Sequence, residues 1–532
     1  MNCKNCQKPF EITSEDKAFY QKINVPKPSH CPDCRRQRRM AWVNPWNLFI
    51  RQCDFTNQEI ISFFPPESQY KVYSLPIYWS DKWSAMDYGR GLDFSRSFFD
   101  QWHELRKDVP MATLESNYTT NINSDYTNMC GSQNNCYMCF HVDHDENCWY
   151  SYLIDYCRNC MDCFDAYDSE LCYEGISIIK CYNCRFIIQG SNCLDCDFCY
   201  NCHNCQNCYG CHNLRNKQFC INNEQKTKAE YETYINNTDW ESNSWLNKQK
   251  VEFKKIKKKT ILKYYYGVHN ENVSGNLIVE SKNAHHCYIT RGAENVKFCD
   301  ALSLAYTKEA YDYFIWGNNA ELIYECVFVG ESAYNIKFSH GCWPACHDLE
   351  YCMGCHSSRD CFGCCELRNA RYCIFNKQYS KDEYFLLKSK IISQMKVNNE
   401  YGEFFPIKYS VFPYNDTFAN SYYPLSENEV RNSNWQWKQE QQKKITLGLP
   451  FCITCQKNFK ILEGEKEFYK RMHLPEPQQC FFCRNQARLK TAGIYTLYSR
   501  RCYKCDKEFE TTISPDRPEM VYCKECYQTE IY

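Results

Sequence analysis

Twelve cysteines near the two ends of the chain have the types and spacing to hold metal. Cys3, Cys6, Cys31 and Cys34 form two Cys-x-x-Cys pairs with 24 residues between them, and Cys452, Cys455, Cys480 and Cys483 repeat that spacing. A third quartet follows, Cys502, Cys505, Cys523 and Cys526, with 17 residues between its pairs. Zinc takes four ligands at tetrahedral corners, and each Cys-x-x-Cys turn offers two thiolates from one tight loop, so each quartet closes a site. All-thiolate sites leave no coordination position for water or substrate, and such zinc is structural. The expectation is three structural zinc ions in zinc ribbons, with no catalytic residues assigned.

The flanks of these quartets recur as well. Shifting the first by 449 positions aligns Gln7 with Gln456, Phe19 and Tyr20 with Phe468 and Tyr469, and Pro26, Pro28 and Arg35 with Pro475, Pro477 and Arg484. Carried onward, the shift places Cys53 on Cys502, whereas Thr56, Ser74 and Ile77 occupy the other three ligand positions. The amino-terminal module therefore reads as the same double ribbon with a degenerate second site, and Cys53 as a packed thiol rather than a nucleophile. Arg35, Arg36, Arg38 and Arg39 follow the last ligand of the first ribbon, where they could pair with phosphate or with an acidic protein surface. The second copy keeps only Arg484 and Arg488.

Between the ribbons the chemistry of sulfur changes. Cys136, Cys148, Cys160, Cys172, Cys184, Cys196, Cys208 and Cys220 recur every 12 residues without a slip. Twelve residues on a helix bring no common face, whereas stacked strands would set such thiols above one another as an internal ladder. Cysteine is small and content to be buried, so that ladder needs no metal. Asn135, Asn147, Asn159, Asn183 and Asn207 precede array positions and suit turns of positive φ. A fainter second array spans about 269–376, and Cys361, Cys364, Arg368 and Cys373 in it mirror Cys208, Cys211, Arg215 and Cys220. The spacing admits 12 or 24 residues per coil. The run from Cys193 to Cys211 turns often, because cysteines three apart in a plain strand face opposite sides. Zinc or an iron-sulfur cluster there, or haem on the Cys-x-x-Cys-His sequences ending at His203, His212 and His356, are the alternatives to a thiol-lined interior. Thr227-x-x-Glu230 and Ser380-x-x-Glu383 are capping boxes for helices that would cover the ends of the arrays. A further helix is expected around 95–109, its apolar stripe running through Phe98, Phe99, Trp102 and Leu105.

Composition bounds the rest. The chain has 532 residues, 42 of them Cys, and a formal net charge of -1. It opens on MNCKNC without a basic and apolar leader and has no long apolar window, which points to a reducing cytoplasm, reduced thiols and no membrane. No global field draws the chain to nucleic acid; the local basic runs RRQRR (35–39) and KKIKKK (254–259) read first as solvated faces or linkers.

The stretches CKNCQKPFEITSEDKAFY, CPDCRRQRR, RQCDFTNQEIISFFPPESQYKVYS, NCYGCHNLRNKQFC and YGEFFP resemble an uncharacterised bacterial family of long Cys-rich proteins with zinc-ribbon domains at both ends. The resemblance implies zinc binding and no established activity. The expected architecture is mainly β and multidomain, with zinc ribbons flanking two parallel β-solenoid-like repeat arrays and short capping helices. Its parts are a zinc ribbon at 1–40, a degenerate one at 41–93, a helical and aromatic connector at 94–120, an array at 121–222 and a capping helix with basic linker at 223–268. The second array at 269–376, a capping helix and connector at 377–445, and zinc ribbons at 446–490 and 491–532 complete it. The expected function is a zinc-binding cytoplasmic scaffold that binds a macromolecule, nucleic acid or another protein. The alternatives are an enzyme acting on a polysaccharide-like polymer through carboxylates such as Asp143, Asp145, Asp165 and Asp168, or a multi-metal or haem redox protein.

Overall fold

A computed structural model describes residues 1–439, 448–493 and 495–532; the expected boundary at 445/446 lies outside the described residues. The fold is mainly β, with 12 α-helices among the described residues. The chain divides into two compact units, one of residues 1–114 and 266–438, the other of 115–265 and 439–532. Each unit thus gathers one end of the chain and one Cys-rich array.

In the second unit the array is a parallel ladder whose step is 12 residues: Cys196 pairs with Cys208 and Cys208 with Cys220, all in register. Parallel bridges carry the same step from Asn134 through Glu146, Arg158, Glu170 and Tyr182 to Leu194. From Met129 to Asn222 every third residue is left-handed, with φ between 50 and 65°, so the chain turns after every three residues. All the Asn positions expected at such turns are among them. The residue after each turn faces the interior, which is why buried side chains recur with a period of three rather than the two of a flat strand.

That interior has four columns. One is the unbroken run of 12-spaced cysteines; another holds Val142, Ile154, Ala166, Ile178 and Gly190; the remaining two are mostly Cys, with Ser151, Gly175 and Ile187 in one and Asp145 and Ser169 in the other. A four-residue layer leaves little volume, and where Ile178 and Ile187 enter, a glycine makes room. A Cβ added at Gly175 would lie 2.6 Å from Ile178 Cδ1, and one at Gly190 2.5 Å from Ile187 Cδ1.

Cysteine also answers a polar demand. Interior thiols lie within hydrogen-bond reach of the carbonyl nine residues on, as Cys160 to Ser169 O (3.4 Å), Cys184 to Cys193 O (3.6 Å) and Cys196 to Cys205 O (3.5 Å). Interior N–H groups donate to the side chain twelve residues back: Cys163 to Ser151 Oγ (3.1 Å), Cys157 to Asp145 Oδ1 (2.8 Å) and Asn223 to Cys211 Sγ (3.3 Å). A small side chain with both a donor and an acceptor fits this lattice, and an aliphatic one satisfies neither.

The first unit's array, Gly267 to Ile374, is also a parallel ladder, closed by the antiparallel strand Lys377–Gln378, but its step varies from 11 residues (Glu271 to Lys282) to 14 (Ala310 after Val296) before returning to 12 at Cys361 to Cys373. Both capping boxes form, at Thr227 before the helix Lys228–Asn236 and at Ser380 before Lys381–Val397. Ser97 caps the helix Phe98–Asp108, which buries Phe98, Phe99, Trp102 and Leu105.

The ribbons copy one another closely. Strands Phe49–Gln52 and Glu59–Ser62 pair as Tyr498–Arg501 and Glu508–Thr511 do, each displaced by 449 positions. Among the described residues, no helix is long and apolar enough to cross a membrane.

Candidate metal centres and the helices they seat

In each quartet the first two cysteines sit on a knuckle. The N–H of the first donates to the carbonyl five residues on, as Cys3 to Lys8, Cys452 to Lys457 and Cys502 to Lys507, at 2.8 to 3.0 Å. The residue four past that cysteine is left-handed: Gln7, Gln456 and Asp506. The third cysteine is the N-cap of a helix and the fourth lies in its first turn: Cys31 before Pro32–Met40, Cys480 before Phe481–Ala492, Cys523 before Lys524–Ile531. A helix N-terminus favours thiolate, because its free N–H groups and dipole point at the sulfur.

The structure brings all twelve predicted cysteines together as three groups of four, the ligand atoms of each group lying within 4.8 Å of one another. Cys6 to Cys31, Cys455 to Cys480 and Cys505 to Cys523 are each 3.7 Å apart, sulfur to sulfur. A tetrahedron with metal-sulfur bonds of about 2.3 Å has edges of about 3.8 Å, so the donor sets fit a metal of zinc's size and preference. Burial pushes the Cys452 and Cys502 thiols up, but N–H groups of the same knuckle and of the capped helix outweigh it and hold both at about 6. Among the described residues no other set of three or more metal-ligating side chains converges this way.

Cys53 keeps the frame without the ligands. Its N–H donates to Gln58 O (2.8 Å), Asn57 supplies the left-handed turn, and Ser74 N–H donates to Cys53 Sγ at 3.3 Å, as Cys523 N–H does to Cys502 Sγ. In the same ribbon Phe63, Phe64, Tyr70, Val72 and Leu75 form an apolar cluster with Met111, Leu114 and Phe412.

The helix that starts at the third ligand of each amino-type ribbon docks on the array of its own unit. Arg35 Nε and Arg39 Nη1 hold the two oxygens of Asp312 at 2.9 and 3.0 Å. Arg484 Nε and Arg488 Nη1 hold those of Asp162 at 2.8 and 2.6 Å. Both aspartates occupy left-handed turns and are fully buried. Arg36 pairs with Asp300 at 2.9 Å, and Arg38 with Glu325 and Glu403, each at 2.8 Å. The RRQRR run is therefore spent inside its unit: all four arginines are buried against carboxylates of the array and Glu403, so none is left for phosphate.

Asp162 and Asp312 were not singled out by sequence reasoning. One signal was available: of the four arginines only Arg35 and Arg39 recur, four residues apart, as Arg484 and Arg488, which marks that pair as tied to something both units share. The other sequence candidates fall elsewhere. Asp145 is buried in the interior, Asp143 and Asp165 are half-buried, and Asp168 is exposed on the array. The thiols of Cys199, Cys202, Cys208, Cys211, Cys352 and Cys355 are enclosed in the interiors, and all 42 cysteines are free of disulfides.

No family model matches the chain, and no curated protein matches it. Among solved structures, the crystal structure of a "putative acetyltransferase" from Desulfovibrio desulfuricans G20 overlaps it at 10% identity, over 48% of this chain and 70% of that one, with a TM-score of 0.09; a likeness of that size carries no argument.

Proposed function

We propose that the protein is a zinc-organised scaffold, cytoplasmic and non-catalytic, that binds a macromolecule. The observation that carries this reading is the coupling of closed four-sulfur sites to buried clamps: in each unit the third ligand caps the helix that grips the array aspartate. Metal held this way supplies folding energy rather than chemistry. The ladder with the 12-residue step and its less regular counterpart are taken as β-solenoids of one coil per repeat, and the free thiols suit a reducing compartment. The ribbon pattern at both ends is what the Cys-rich zinc-ribbon family would supply. Native mass spectrometry with elemental analysis tests the proposal. Three zinc ions and no iron per chain are expected; haem absorbance, iron, or a fourth tightly held ion overturns it.

A further inference from the structure

The sequence run KKIKKK closes a 17-residue helix, Asn243–Lys259, in the second unit. From 243 to 263 the chain carries eight lysines and one glutamate. Lys255 pairs with Glu252 at 2.7 Å and Lys250 lies 3.7 Å from Glu174. Among the described residues, Lys248, Lys254, Lys257, Lys258, Lys259 and Lys263 have no ion pair. The nearby carboxylates are already engaged: Glu519 by Arg517 at 2.7 Å, Glu530 by Lys504 at 2.7 Å, Glu525 by Lys507 at 3.6 Å.

A basic last turn suits a helix dipole, which accounts for part of this run. It does not account for Lys254 beside Lys257 and Lys258, or Lys255 beside Lys259, since like charges three and four apart each cost a few tenths of a kcal/mol. Nor does it account for cations brought in from other elements. The strand Ile261–Lys263 pairs with Met520–Tyr522, which sets Lys263 against Tyr522 and near Lys524. Burial and then the Lys524 charge lower the Lys263 pKa, and burial, Arg517 and Lys254 act alike on Lys257. Aromatic rings continue the face: Lys263 Nζ lies 4.3 Å from the Tyr265 ring centre, and Tyr503, 71% exposed, stacks on Tyr522.

We propose that this face, from Lys254 to Lys259 through Lys263 and Lys524 to Tyr503, binds single-stranded nucleic acid. The lysines would follow successive phosphates, and the exposed tyrosine would stack a base without reading sequence. The inference rests on the scaffold reading only in that the molecule binds rather than catalyses, and zinc content is measured on the same samples so that the two can fail separately.

The test is fluorescence anisotropy with a labelled 20-nucleotide oligo-dT and the full-length, metal-loaded protein. A Kd of about micromolar at 0.1 M salt is expected, with an affinity that falls linearly in log-log against salt. Lys254, Lys258 and Lys259 are exposed and Lys257 is half-buried, so the combined variant Lys254→Gln, Lys257→Gln, Lys258→Gln, Lys259→Gln is expected to fold, which circular dichroism and zinc content check. It should bind at least about tenfold more weakly, with a salt slope shallower by about 3, near 0.7 per lost phosphate contact. Tyr503→Ala should weaken binding several-fold and leave the slope unchanged. Binding by the lysine variant equal to the unaltered protein, or a preference for anionic phosphatidylserine vesicles over the oligonucleotide, overturns the proposal.

Discussion

Asp145 is the single carboxylate in the first array's interior columns, and its surroundings decide its charge. It accepts the Cys157 N–H at 2.8 Å and faces the Gln133 amide at 3.2 Å, yet burial pushes its pKa well up against both. A carboxyl whose folded pKa exceeds its unfolded value of about 3.9 stabilises the fold fully below that pH, and the contribution is lost as pH rises through the folded pKa. Asparagine keeps the acceptor for Cys157. Its amide can donate to Gln133 Oε1, which has no partner at present, once that side chain turns over and gives up its Nε2 bond to Gly131 O at 3.1 Å. Asp145→Asn is therefore expected to stabilise the protein at pH 8 and to change little at pH 4, as read from urea midpoints across that range. A cost that persists at pH 8 would mean that the carboxylate is charged in place. At the clamp the sign reverses. Asp162→Ala leaves Arg488 buried without a counter-charge and Arg484 with only Glu465, 3.5 Å away, and a loss of about 3–5 kcal/mol is expected in thermal or urea unfolding. A loss under about 1 kcal/mol would remove the clamp from the account.

For the array as an element, volume per layer is the governing quantity. Layers of Cys, Gly, Ile and Cys at 172–181 and of Cys, Ile, Gly and Cys at 184–193 are followed by an all-Cys layer at 196, 199, 202 and 205. Because a Cβ on Gly190 would meet Ile187 Cδ1 at 2.5 Å, Gly190→Cys alone should overpack its layer and cost about 1–3 kcal/mol. Adding Ile187→Cys converts the layer to the all-Cys kind and should recover most of the loss, a favourable coupling in a double-mutant cycle. Additive effects would show that the layers do not share a fixed volume. Much of this element was legible beforehand: the 12-residue spacing gave the step of the ladder, and the Asn before the cysteines gave the left-handed turns. The hidden part was the period of three. Side-chain direction follows from a left-handed residue in every triplet, and residues such as Leu153, Phe186 and Phe198 hold that conformation only because the ladder imposes it. Nothing in their own chemistry announces it.

At the scale of the molecule, the order of segments along the chain conceals which of them pack together. The amino-terminal ribbons join the second array and the carboxyl-terminal ribbons join the first, so that Arg35 and Asp312 meet across 277 residues. Repeats identify like segments but not partners, and the clamp aspartates carry no motif of their own. The two units differ in one respect that can be measured. Among the described residues the second unit holds two four-sulfur groups, while the first holds one, and its Cys53 ribbon carries an apolar cluster around Phe63, Phe64 and Tyr70. Structural zinc contributes about 10–16 kcal/mol of apparent binding free energy at neutral pH, realised only in the folded state. Stripping the metal should therefore cost the second unit about twice what it costs the first. Differential scanning calorimetry with a zinc chelator should show two transitions where one of them shifts down further. Limited proteolysis should then cut first near Cys480 and Cys523, where helices lose their capping ligands, and later at Cys31, while residues 49–78 stay protected. Equal shifts of both transitions, or early cleavage of the metal-free Cys53 ribbon, would show that packing and not metal holds the ribbons to their arrays.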